Sequence, residues 1–457
     1  MSDLHNLIKR IVVYCDEESD RQLFFKFQQV SALLRLIPNE HIRVLPKGKR
    51  VAGSEHESVS AFAEKDRSDF IFLYNDSPIL VTECTEHGYT GDNPKQRFVR
   101  FRETARAKVP FIYFTTFSRV RDDELDDAAG RTPSKRRVNT DVWKGMVALT
   151  SSHGVPIVPV EWPLAANNKA RKLGANPTVE TIREIYGELL SLIEEILSTQ
   201  ALILAGKGSF SESSLIQGYV EKTIKLCETP NTRGSDVTVW MDKAQLRELL
   251  DDPQQILKYV GREEYFHKGK GFKLVALTAI DLSNIEWVML PDERVIETSR
   301  PSVELSEILK SSVFDSSLVY YTGYEWRSDP HCGVAALLEL LNCLAEDAIS
   351  HSKALVLHWP RVYYSARSAA YNRASAAIST SFDSASHLRR VFVERYGSER
   401  ADDEIRKVML NKRGDLKSVS DLIGVWSDGT KQARVFRDIC DLIVLSDAIL
   451  LGDRWRQ

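Results

Sequence analysis

The sequence predicts an α/β protein: an N-terminal mixed sheet flanked by helices, followed by an α+β C-terminal domain. Three observations predict it. Between residues 16 and 162 the elements run helix, hairpin, helix, strand, helix, strand, the order of a sheet covered by helices. The run Val109-Pro110-Phe111-Ile112-Tyr113-Phe114-Thr115 is almost continuously apolar, as strands buried on both faces are. The chain has 457 residues, too many for one ordinary core.

Each element follows from local pattern. Asp16-Glu17-Glu18-Ser19-Asp20 is an acidic helix start, suited to the positive end of a helix dipole. Leu23, Phe24, Phe27, Val30, Leu34 and Ile37 recur at helical spacing up to Pro38, which predicts one core-facing helix. A short extended run follows His41, with the basic cluster Lys47-Gly48-Lys49-Arg50 behind it. Then Phe70-Ile71-Phe72-Leu73-Tyr74 and Ile79-Leu80-Val81-Thr82 flank the polar turn Asn75-Asp76-Ser77-Pro78, which reads as a β-hairpin.

A Gly/Asn/Pro-rich loop at 88–94 leads into a helix at 95–107 that carries Arg97, Arg100, Arg102 and Arg106. The strand at 109–115 comes next. A polar loop, acidic at 122–127 and basic at Lys135-Arg136-Arg137, precedes a helix at 139–152. The run at 155–160 reads as a strand whose prolines place it at an edge. Val179, Ile182, Ile185, Leu189, Leu192, Ile193 and Ile196 mark a long helix over 178–205. Gly206-Lys207-Gly208-Ser209-Phe210-Ser211 breaks it and predicts a linker, giving domains at 1–205 and 212–457. Beyond it, helices are expected at 246–260, 334–350, 384–396 and 432–451, with strands at 272–277 and 285–290.

Composition narrows the function classes. Apolar residues at 43% and charged residues at 27% are a globular balance. With 61 basic against 64 acidic side chains the net charge is −3, so any phosphate-binding surface must be a local patch. Six cysteines without CxxC spacing suggest reduced thiols and a cytoplasmic protein. The N-terminus lacks a signal-peptide pattern, and no apolar stretch reaches the ~18 residues of a membrane span. The sequence contains no GxxxxGK[ST], GxSxG or HExxH.

The chemistry centres on the hairpin. Asp69 stands where its first strand begins and Glu83 near the end of its second. Glu83 interrupts an apolar strand, and burying a carboxylate is costly unless it is paired or bound to metal. Two carboxylates at one sheet edge can hold Mg²⁺ through hard oxygens and leave water positions open. Metal-assisted phosphodiester hydrolysis needs that arrangement. Glu86 reads as solvent-facing, and His87 as incidental or a phosphate contact. Glu55 and Glu57 are upstream acids with no assigned role. Lys47, Lys49, Arg50, Lys135, Arg136 and Arg137 suit phosphate contacts. In the second half, the stretches 320–333 and 361–373 combine aromatics with arginine, as nucleic-acid surfaces do.

The frame Ser68-Asp69-Phe70, a turn, and then Glu83-Cys84-Thr85 resembles the PD-(D/E)xK nuclease superfamily, over residues 20–162. Ser68 replaces the usual Pro, and Thr85 stands where the family has Lys. The resemblance implies a restriction-endonuclease-like core and a Mg²⁺-dependent endodeoxyribonuclease similar to a type II restriction enzyme. Asp69 and Glu83 would bind the metal, and double-stranded DNA would be the partner. The C-terminal domain would recognise DNA or form a homodimer. With Thr85 in place of lysine, Lys95 is the first candidate for the catalytic cation and Arg97 the second. Two alternatives stay open: a non-catalytic binding or scaffold protein with the nuclease fold, and an RNA-directed defence nuclease.

Overall fold

The computed structural model describes residues 2–46, 59, 62, 67–86, 92–120, 135–138, 140–166 and 169–228 of the first half. In the second it describes 238–241, 273–278, 287–289, 295–297, 317–321, 333, 336, 337, 340, 354–358, 398, 399, 431–444 and 448–453. The chain divides into two units, Met1–Ser235 and Asp236–Gln457.

In the first unit, α1 (Ser2–Ile8) leads into β1 (Ile11–Cys15), a buried strand with no counterpart in the sequence reading. Next comes α2 (Glu18–Val30), which opens with a capping box: the Glu17 amide donates to the Asp20 carboxylate at 3.0 Å. The helix stops at Val30, short of the expected Ile37. Ser31 turns the chain there, its hydroxyl accepting from the Leu34 amide, and Leu34–Leu36 forms a single 3₁₀ turn. A short β2 (Ile42–Val44) follows.

The hairpin forms as expected, from β3 (Phe70–Tyr74) and β4 (Ser77–Thr85). Its turn residues Asn75 and Asp76 have φ of 48° and 59°. Positive φ at both central positions is the type I′ geometry that matches strand twist, and Asn and Asp tolerate it. The β3–β4 ladder carries a bulge: Phe72 faces Leu80 but Leu73 faces Pro78, so Ile79 is the extra residue. The Ile79 carbonyl accepts instead from the buried Gln200 amide at 3.0 Å.

Then come α3 (Asp92–Arg106), β5 (Phe111–Thr115), β6 (Ser118–Val120), β7 (Lys135–Arg137), α4 (Thr140–His153), β8 (Ile157–Glu161), α5 (Val179–Leu204) and α6 (Ser214–Cys227). The six-stranded mixed sheet runs β2-β1-β3-β4-β5-β8, with β8 at an edge as its prolines require. β1, β3 and β4 are antiparallel neighbours, and β5 and β8 continue parallel to β4. Two layers of helix cover this sheet. On one face Phe24 and Phe27 of α2 pack on Phe70 and Phe72, while Tyr186 of α5 packs on Phe114. On the other face Phe101 of α3 packs on Phe111 and Tyr113. β6 and β7 form a separate two-stranded ribbon.

The expected linker at 206–211 lies inside this unit. Gly206 and Gly208 take φ of 72° and 75°, turning the chain back between α5 and α6. Ile216 and Tyr219 of α6 then bury in the same core, so the boundary moves from 205–212 to 235–236.

The second unit contains β9 (Thr238–Met241), β10 (Lys273–Thr278), β11 (Trp287–Met289), β12 (Val295–Glu297), β13 (Ser317–Tyr321), β14 (Ala354–His358), α7 (Lys431–Ile439), β15 (Leu442–Val444) and β16 (Ala448–Leu451). Its strands order as β12-β11-β16-β15-β14-β13-β10-β9. The β9–β10, β11–β16, β13–β14 and β14–β15 pairs are parallel. Parallel neighbours need crossover connections, an α/β feature that the α+β expectation did not include. The helix expected over 432–451 ends at Ile439, and the apolar remainder pairs as β15–β16. The helices expected at 246–260 and 384–396, and most of 334–350, lie outside the described residues.

Candidate carboxylate site

Strand register assembles the site. Cys15 faces Phe70, and Phe70 faces Thr82, so one step further Asp16, Asp69 and Glu83 stand side by side across β1, β3 and β4. The Asp16 amide donates to the Asp69 carbonyl at 3.2 Å, which holds that alignment past the end of β1. Glu83 in turn faces Tyr113 of β5. Facing residues share a sheet face. Cys15, Phe70 and Phe114 belong to the α2/α5 face, so the three carboxylates belong to the opposite face, under α3.

Glu83 is 2% exposed. One of its carboxylate oxygens accepts from the Arg97 Nε–H at 3.1 Å and the Thr85 hydroxyl at 3.0 Å. The other is ion-paired with Arg100. Arg97 and Arg100 are one turn apart on α3, so both reach down to the same strand position. This neutralises a charge that would otherwise be prohibitive in a sheet interior.

Asp69 is balanced differently. One oxygen accepts from the Cys84 amide at 2.6 Å. Burial holds its carboxyl well above the ordinary carboxylate range, reinforced by Glu83 and Asp20, with Arg100 and the Cys84 amide opposing. Asp20 is pushed up to about 6, first by burial and then by Asp16, Glu17 and Glu83, against the opposing Glu17 amide. Asp16 is raised by burial and partly relieved by Arg67, at 3.4 Å. Carboxyl groups therefore crowd on the Asp69, Asp20 and Asp16 side, where burial disfavours their charged form, while Arg97 and Arg100 pair with Glu83.

Asp69 and Glu83 are neighbours across β3 and β4, with both Glu83 oxygens taken up by Arg97 and Arg100. Residues facing across antiparallel strands are about 5 Å apart at Cα, so two carboxylates can bridge one ion, and Mg²⁺ characteristically keeps several waters. Among the described residues no group of three or more His, Cys, Asp or Glu side chains is placed to cage a metal. A two-carboxylate site is thus the donor set on offer, and Glu83 would share its oxygens with the arginines.

The other expected residues separate. Lys95 is buried, at 2% exposure, in the first turn of α3. By helical spacing it shares a face with Phe98 and Arg102, whereas the two cations on Glu83 are Arg97 and Arg100. The Thr85 hydroxyl donates to Glu83. Glu86 pairs with Lys172 at 2.7 Å instead of standing free in solvent. Lys135, Arg136 and Arg137 form β7. Lys47, Lys49, Arg50, Glu55, Glu57, His87 and residues 361–373 lie outside the described residues, as does 322–332. The sequence reading missed Asp16, Asp20 and Arg67. The two aspartates were visible as an acidic helix start directly after an apolar run, but only the β1–β3 pairing brings them to Asp69.

Comparison of this chain with family models, curated proteins and solved structures finds no match.

Proposed function

We propose that the first unit is a Mg²⁺-dependent nuclease that hydrolyses phosphodiester bonds of double-stranded DNA, with a core of the restriction-endonuclease type. The observation that carries the reading is the row Asp16–Asp69–Glu83, three carboxylates at one strand level with two arginines above them. A sheet that needed only stability would fill those positions with apolar side chains. The α3–β5 segment after the acidic strand also matches the element order that the family resemblance implies.

Asp69 and Glu83 would hold the metal, which supplies Lewis-acid activation of water and of the phosphoryl group. Thr85 orients the Glu83 carboxylate through its hydroxyl. Arg97 and Arg100, which pair with Glu83, would offset the negative charge that builds on a phosphate during attack, a task the family gives to lysine. Lys95, buried in the same helix, is the further candidate for that task.

A second reading has one observation behind it. Both Glu83 oxygens already carry protein cations, which suits a non-catalytic scaffold with a closed ion network. Incubating plasmid DNA with the full chain, with Mg²⁺ or with EDTA, separates the two. Cleavage that needs Mg²⁺ and is lost in Asp69→Asn and in Glu83→Gln supports the nuclease. A folded wild-type chain that leaves the plasmid intact across Mg²⁺ and Mn²⁺ favours the scaffold.

A further inference from the structure

We propose that Arg97 and Arg100 form a latch on Glu83 which the phosphates of duplex DNA open, so that the duplex and a divalent ion bind cooperatively. The proposal deepens the nuclease reading and rests on it for the choice of duplex and ion.

The latch shows in how Glu83 is held. Its side chain is 2% exposed, and two guanidinium groups are gathered on its one carboxylate. Arg97 donates through Nε to one oxygen at 3.1 Å, beside the Thr85 hydroxyl. The oxygen on the Arg100 side makes no hydrogen bond among the described residues, so charge alone holds that contact. An ion placed on Glu83 as it stands would share those oxygens with two cations, and like charges at that range repel. Drawing the arginines away with nothing in their place is no better, because it leaves a buried carboxylate alone.

The arginines can change partners without moving their helix. Phe98 and Phe101 are fully buried and set the rotation of α3, with Phe101 packed on Phe111 and Tyr113. The Arg97 and Arg100 side chains are 23% and 12% exposed, so they lie at the margin between core and solvent. A phosphate offers a guanidinium the same two-oxygen face as a carboxylate. If both arginines turn to a backbone phosphate while a cation takes their place on Glu83, every charge keeps a partner. Each half of this exchange is unfavourable alone, and together they balance. That is a coupling between the duplex site and the ion site, and by linkage each ligand tightens the other by the same factor.

The test reads the two halves separately on the full chain. For the DNA half, a labelled mixed-sequence duplex is followed by fluorescence anisotropy in EDTA as salt rises. Glu83→Gln removes the charge that competes for the arginines. It should tighten duplex binding and steepen the plot of log K against log salt by about 0.9 for each arginine released. The same substitution added to Arg97→Gln with Arg100→Gln should change neither affinity nor slope. An equal gain in both backgrounds would be a general effect of lost negative charge and overturns the proposal, as does no gain in either. For the ion half, Mn²⁺ is titrated without DNA and free ion is counted by electron paramagnetic resonance. Arg97→Gln with Arg100→Gln should bind Mn²⁺ on the order of 10-fold more tightly than the wild type. Arg106→Gln, on the same helix but paired with Glu103, should not. Equal Mn²⁺ affinity in the wild type and the double variant overturns the latch, as does an equal gain in Arg106→Gln. This half does not need Glu83→Gln to fold. If the double variant fails to melt cooperatively, Arg97→Gln alone carries both halves, and Glu83→Gln should then steepen the slope by about 0.9 instead of about 1.8. A Glu83→Gln gain as large for duplex RNA overturns the choice of DNA. The nuclease reading fails separately: both shifts with plasmid left intact in Mg²⁺ keep the latch and lose the chemistry. Mg²⁺-dependent cleavage with neither shift keeps the chemistry and loses the latch.

Discussion

The two faces of the six-stranded sheet solve opposite problems. The face under α2 and α5 is a close aromatic packing in which Phe24 sits 5.8 Å from both Phe70 and Phe72. The face under α3 holds aromatics at Phe111 and Tyr113, but at the level of Tyr113 it accepts Asp16, Asp69 and Glu83 on the neighbouring strands. Since side chains alternate, each carboxylate has an apolar neighbour in sequence that points the other way. The apolar face thus fixes the strands, and the charged face is carried along in a geometry it could not stabilise by itself. A sheet can tolerate concentrated charge on one side when the other side supplies the packing.

Four measurements can break or sharpen this comparison. The largest effect belongs to the apolar face: Phe72→Ala should cost about 3–5 kcal/mol, seen as a lower urea midpoint, because a fully buried ring leaves a cavity. A loss below about 1 kcal/mol would mean that this face is not what holds the strands. Glu83→Ala comes next. It leaves Arg97 and Arg100 without their carboxylate, and the expected cost is about 2–3 kcal/mol, less than for a wholly dry pair because Arg97 reaches solvent. Adding Arg97→Gln and Arg100→Gln to that variant should restore part of the loss. Additive losses would show that the three residues do not act as a unit.

The third effect is a pH dependence with a definite sign. The Asp20 carboxyl is raised from 3.8 to about 6, and Asp69 is raised as well. Between these values the folded chain binds more protons than the unfolded chain, so its stability falls as pH rises from 4 through 6. Asp20→Asn should flatten that fall by about 1 kcal/mol, allowing for screening at a half-buried position. Mg²⁺ added at pH 7 should raise the melting temperature of the wild type and leave that of Asp69→Asn unchanged. A flat profile in the wild type would refute the claim that burial disfavours the charged form of these carboxyls. The smallest effect is Thr85→Val, which removes one hydrogen bond to Glu83 and should cost about 1 kcal/mol.

The hairpin and its carboxylates were legible in the sequence because their signals are local. Asn75-Asp76 specifies the turn, and Glu83 stands out in an apolar strand. The contribution of Asp16 was not legible, since it depends on β1 pairing with a strand much further along the chain. The choice of cation was half legible. Distance along the chain favours Lys95, but Phe98 and Phe101 must bury, and that sets the rotation of α3 so that Arg97 and Arg100 come to Glu83. Helix phase, not chain distance, decides such a contact. The unit boundary was misplaced because Gly206 and Gly208 look alike in a linker and in a tight turn, and only the burial of α6 distinguishes them.

The bond from Gln200 to the Ile79 carbonyl has a consequence in time. A one-residue slip of β4 against β3 would send Glu83 to the apolar side. The bulge at Ile79 marks the observed alignment, and its buried carbonyl accepts from a residue 121 positions further along the chain. Ribosomes add about 5–20 residues per second, so that partner emerges roughly 6–24 s after the hairpin, which itself closes in microseconds. Throughout that interval the turn alone holds the alignment. Slipped hairpins can then exchange until α5 docks and its glutamine rewards only the aligned form. Truncation before Gln200 should therefore yield nascent chains whose hairpins sample both alignments, a state that disulfide trapping across β3 and β4 on stalled ribosomes can read.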